Sequence, residues 1–77
     1  MIVFEHLPYF DWLRQLGEID RLEIDNNNYI INIYEHKSRE SRRTIEKGTR
    51  QLQRAYRFFS EIAPEYRINI FLRFNGE

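Results

Sequence analysis

From Ser38 to Pro64 the sequence keeps one helical period, so about a third of this 77-residue chain is committed to a single helix. The rest of the molecule must supply the surface on which that helix is buried. Ile45, Leu52, Tyr56, Phe59 and Ile62 fall on one stripe at helical spacing. Ser38 or Ser41 supplies an N-cap, and Pro64 disfavours helical geometry at Ala63, which predicts a helix ending near Ala63. Gly48 interrupts the apolar side, where glycine costs about 1 kcal/mol relative to alanine. With Ala55 seven residues further on, it predicts close approach of this helix to another element.

The flanking segments read mainly as strands. Arg21–Asp25 alternates polar and apolar residues, with Leu22 and Ile24 on one face. Asn26, Asn27 and Asn28 supply a turn, and Tyr29–Glu35 is rich in β-branched and aromatic residues, so the stretch predicts a β-hairpin. Between Arg67 and Asn75, Ile68, Ile70, Leu72 and Phe74 share one strand face, with Arg67, Asn69, Phe71 and Arg73 on the other. Near the N-terminus, Tyr9, Trp12, Leu13 and Leu16 match one face of a short helix, with Pro8 in its first turn and Gly17 as its stop. Residues 1–5 read either as a short strand or as an N-terminal arm.

The expected order is therefore (β)αββαβ in one domain, 1–77. It implies an α+β two-layer sandwich, with a three- or four-stranded, mainly antiparallel sheet and one short and one long helix on one face.

Composition narrows the chemistry. The chain has no cysteine, which excludes disulfides, zinc–thiolate sites and thiol catalysis. No apolar run approaches the roughly 20 residues of a membrane span. Met1-Ile2-Val3-Phe4 lacks the basic flank and long apolar stretch of a signal peptide, so the expectation is a soluble cytoplasmic domain without membrane contact. His6 and His36 have no carboxylate cluster at ligand spacing, and phosphate-loop, dinucleotide and nucleophile-elbow patterns are absent. No catalytic residue, metal or cofactor is expected.

Formal neutrality conceals a segregation of charge. Residues 1–36 carry a balance of −5 and residues 37–57 a balance of +6, and six of the eight cations in the second segment are arginine. At about 100° per residue, Arg39, Arg43, Lys47, Arg50, Arg54 and Arg57 align opposite Ile45, Leu52 and Phe59. Like charges at this spacing destabilise a helix, and Arg39, Arg42 and Arg43 crowd an N-terminus whose dipole favours anions. Local rules broken together mark candidate functional positions. Arg39, Arg42, Arg43, Lys47, Arg50, Arg54 and Arg57 are therefore the candidate partner-binding residues.

The favoured expectation is a non-enzymatic module that docks this cationic face onto an acidic protein surface, including a second copy of itself. The alternative is nucleic-acid binding through the same stripe. Two further features are candidate sites, the first carrying a third reading as an enzyme. The junction Tyr34-Glu35-His36-Lys37-Ser38-Arg39, with Arg42, forms a candidate anion site, where His36 is the general acid/base of a metal-independent nuclease if the domain is an enzyme. Adjacent strand residues point to opposite faces, so Glu35 and His36 are not expected to converge. Tyr34, Asn32, Phe71, Asn69 and Arg73 are expected on the sheet face away from the helices, an aromatic and basic set suited to stacking bases. The glycine–aromatic pattern of sheets that bind RNA in this way is missing from Tyr29–Glu35.

Overall fold

The computed structural model describes residues 1–75, and the last two positions of the 1–77 domain lie outside the described residues. Strand β1 (Ile2–Phe10) turns into β2 (Gln15–Asp25), and β3 (Ile30–Lys37) follows. Helix α1 (Arg42–Ile62) then crosses to β4 (Arg67–Phe74). The four strands form one sheet in the order β1-β2-β3-β4. The first three make an antiparallel meander, and the crossover sets β4 parallel to β3. The class is α+β with two layers, but the sheet is mixed and α1 is its one helix among the described residues.

The expected short helix at Pro8–Leu16 is a correction. Pro8 and Tyr9 belong to β1, residues 11–14 make the turn, and Leu16 and Gly17 belong to β2. Asp11 closes that turn by accepting hydrogen bonds from the backbone N–H groups of Leu13 and Arg14 at 2.7 and 2.8 Å. Trp12 and Leu13, expected on one face of that helix, point into solvent with Trp12 91% exposed. The helical spacing arises by coincidence from two strand ends and a turn. Pro8 is tolerated because β1 is an edge strand, where a missing N–H need not break a ladder. Gly17 packs flat against the Tyr9 ring, where an added Cβ would come within 3.0 Å of ring carbon. Residues 1–5 are thereby resolved as strand from Ile2 onward.

Ser41 is the N-cap of α1, bonding the Thr44 N–H while Thr44 bonds back, and Ala63 is the C-cap. The line of α1 that is buried runs Gly48, Leu52, Ala55, Phe59. Ile45, Tyr56 and Ile62 of the expected stripe are exposed, because α1 sits over β3 and β4 and Tyr56 overhangs edge strand β4 beside Ile70. Gly48 answers to the close approach inferred from the sequence. A Cβ there would lie 2.6 Å from Leu72 Cδ1 and 3.4 Å from Lys37 Cε. Leu52, Ala55 and Phe59 complete the core with Tyr9, Ile19, Leu22, Ile31 and Ile33.

Candidate functional site

Strand β3 lies beneath α1, and its helix-facing row reads Ile31, Ile33, Glu35, Lys37. The first two are core. The next two are charged, and Glu35 is only 6% exposed. Lys37 Nζ sits 3.1 Å from Glu35 Oε2 and donates to Gln51 Oε1 of α1 at 2.7 Å. Both side chains of this ion pair are largely buried. Breaking or removing one member of such a pair is costly, whereas replacing both by hydrocarbon often is not, so burial alone does not explain its presence.

A third charged group reaches the same place from β2. The β2–β3 ladder runs from Asp25↔Ile30 to Arg21↔Tyr34 and ends there, although β2 continues back to Gln15 and β3 on to Lys37. Where the strands part, the Asp20 carboxylate accepts the His36 backbone N–H at 2.7 Å and comes within hydrogen-bonding reach of Glu35. On its other side the β1–β2 ladder pairs Glu5 with Arg21 and Leu7 with Ile19. His6 lies between them at a positive φ of 51°. Asp20 thus occupies an irregular point of both ladders.

Burial raises the Glu35 carboxyl above the usual carboxylate range. Lys37 opposes the rise, while the neighbouring Asp20 charge and hydrogen bond add to it. The Asp20 charge adds to the cost of ionising Glu35, and the Lys37 ammonium offsets part of that cost. A cavity of about 30 Å³ beside Glu35, lined also by Tyr9, Gln51 and Arg54, has room for a water molecule. On the solvent side, a cavity of about 310 Å³ bounded by Glu5, His6, Asp20, Arg21 and His36 opens onto the Asp20 carboxylate. The cluster lies at the C-terminal end of β3, where the chain leaves the sheet for α1.

The cationic residues expected from the sequence divide. Arg42, Arg43, Lys47, Arg50, Arg54 and Arg57 lie on α1 and are exposed, whereas Arg39 precedes the helix in the loop after β3. Arg42 pairs with Glu46 at 3.3 Å, and Arg54 donates to the Leu16 carbonyl at 2.9 Å. Among the described residues, no carboxylate lies within ion-pairing distance of Arg39, Arg43, Lys47, Arg50 or Arg57. The stripe is therefore largely without ion-pair partners among the described residues. Glu35 and His36 diverge, the first buried and the second exposed.

Lys37 was expected beside Glu35 in the candidate anion site of the junction after β3, whereas Asp20 and Gln51 were not expected there. For Glu35 and Lys37, the shared helix-facing position was available in parity: the apolar alternation of Ile31 and Ile33 continues on the same face as Glu35 and Lys37. Compared with protein-family models, with curated proteins and with solved structures, the chain shows no significant match.

Proposed function

We propose that this domain hydrolyses phosphodiester bonds of nucleic acid with the help of a divalent cation held by Asp20 and Glu35. The observation that carries this reading is the meeting of two carboxylates and a lysine where β2 and β3 part. A magnesium-like ion is commonly held by one or two carboxylates, with water and substrate phosphate completing its shell. Such an ion, held by Asp20 and Glu35, would relieve the repulsion between them and would supply Lewis-acid activation of water or phosphate. Lys37 adds a positive charge beside Glu35, held in direction by Gln51, and is placed to stabilise charge developing on phosphate oxygens. The uncompensated arginines of the adjoining loop and α1 favour a polyanionic substrate.

The test is cleavage of labelled oligonucleotide in magnesium, manganese or chelator by wild type, Glu35→Gln and Lys37→Met. Metal-dependent cleavage lost in both variants supports the proposal, and cleavage that survives chelation or either substitution overturns it.

A second reading rests on a separate observation, the row of arginines without carboxylate partners. In it α1 docks on an acidic protein surface or on a second copy, without catalysis. Arg50→Glu with Arg54→Glu then abolishes a salt-sensitive complex while the circular dichroism spectrum is unchanged. A domain that sediments as a monomer at low salt and binds no acidic protein removes this reading.

A further inference from the structure

The sheet face opposite α1 carries a second group of side chains that the acid pair does not use. Tyr34 and Phe71 occupy paired positions of β3 and β4, and their rings stack with centroids 4.8 Å apart and planes within 16°. The Arg73 guanidinium lies 5.1 Å from the Tyr34 ring centre and 5.8 Å from that of Phe71. Beside them Asn69 donates to Asn32 at 3.0 Å, and the Tyr34 hydroxyl donates to Glu23 at 2.9 Å.

We propose that this face is a stacking platform for unpaired bases, so that the substrate of the neighbouring acid pair is single-stranded nucleic acid. The inference rests on the hydrolytic reading for what the strand is delivered to, and on separate residues for how it is held. The aromatic pair is half-exposed, and the only helix among the described residues covers the opposite face. Near-parallel rings extend naturally by one more planar group, and every unpaired base offers one, whereas duplex bases are already stacked on each other. The outward row of β4 reads Arg67, Asn69, Phe71, Arg73, two cations and no carboxylate, which suits a phosphate backbone. The path to the acid pair is also present. Arg21, opposite Tyr34, and His36, opposite Arg73, line the same cavity as Asp20. A strand whose base rests on Tyr34 and Phe71 therefore lies next to the cavity that Asp20 also lines.

The experiment measures binding of fluorescent oligothymidine, and of a duplex of equal length, in chelator so that no cleavage competes. Phe71→Leu keeps an apolar side chain but removes the ring, and should weaken oligothymidine binding roughly tenfold while duplex binding changes by less than about twofold. An oligonucleotide containing 2-aminopurine should lose its quenching in the same variant. Arg73→Gln provides the same comparison should Phe71→Leu fail to fold as judged by circular dichroism. No binding of oligothymidine by wild type, or equal binding by the folded variants, overturns the proposal. Its failure leaves cleavage by Asp20, Glu35 and Lys37 intact, and loss of that cleavage leaves oligothymidine binding measurable.

Discussion

The two halves of β3 face the same helix with opposite chemistry. Ile31 and Ile33 meet α1 as hydrocarbon and are almost completely buried. Two residues further on, Glu35 and Lys37 meet it as an ion pair beneath Gly48 and Gln51. The first half accounts for why the helix docks at all. The second half contributes little that hydrocarbon would not, since both charges lose hydration on burial. In the hydrolytic reading proposed above, the strand keeps these charges for chemistry, and substitutions in each half separate the two roles.

The largest effect is expected in the apolar half. Ile33→Ala removes a side chain that is 1% exposed and leaves a cavity against Leu22 and Leu52. It should cost about 2–5 kcal/mol in urea denaturation, a large share of what so small a core provides. A loss below 1 kcal/mol would mean that α1 is not held by this row.

The charged half should respond in the opposite way. Lys37→Met alone leaves the buried Glu35 without its cation and should cost about 3 kcal/mol near neutral pH. Glu35→Leu combined with Lys37→Met should restore stability to the wild-type value or exceed it by about 1–4 kcal/mol, with cleavage abolished. If the double variant is instead less stable than Lys37→Met alone, the pair is structural and the contrast within β3 collapses.

Titration sharpens the same contrast. Glu35 has its folded-state pKa raised, chiefly by burial, so the native state holds its proton more tightly than the unfolded chain does. Stability from this group is therefore lost as pH rises, between the unfolded value near ~4.3 and the higher folded one. Asp11 and Asp25 behave oppositely. The Leu13 N–H bond chiefly lowers Asp11, and the Asn28 side chain chiefly lowers Asp25, so their contribution is lost as pH falls. The melting temperature of Glu35→Gln relative to wild type should consequently climb as pH rises through the Glu35 range. A difference independent of pH would show that burial does not disfavour the charged form of Glu35.

The β3–α1–β4 unit was largely legible in the sequence, and the β1–β2 hairpin was not. Ser41, Pro64 and the alternations around Ile31 and Ile68 are local signals, and each produced the element it implied. The outward set Asn32, Tyr34, Asn69, Phe71 and Arg73 likewise followed from period two. The hairpin lacked such signals, because Trp12 and Leu13 are apolar residues in an exposed turn and Pro8 sits inside a strand. Asp20 was hidden for a different reason. Its role depends on where the β2–β3 ladder stops, a long-range property that no spacing along β2 encodes. Glu35 and Lys37 were on the page as an i, i+2 pair, but their burial followed only once α1 was known to lie over them.

The smallest effect is expected at Gly48, where the two halves of β3 meet the helix. Gly48→Ala gains about 1 kcal/mol of helix propensity. Against this, the new methyl would sit 2.6 Å from Leu72 Cδ1, and overpacking of a rigid neighbour costs about 1–3 kcal/mol. Cδ1 is the terminal atom of a half-buried side chain that can rotate, so the cost falls at the low end and the two terms nearly offset. Thermal unfolding should place Gly48→Ala within about 1 kcal/mol of wild type. Lys37 Cε would lie at 3.4 Å, close enough to feel the methyl without being displaced from Gln51. A much larger loss would show that α1 has no freedom to move over the ion pair. Gly48 would then be the residue that sets the separation between helix and charged row, and bulkier substitutions there would disable cleavage before they unfold the domain.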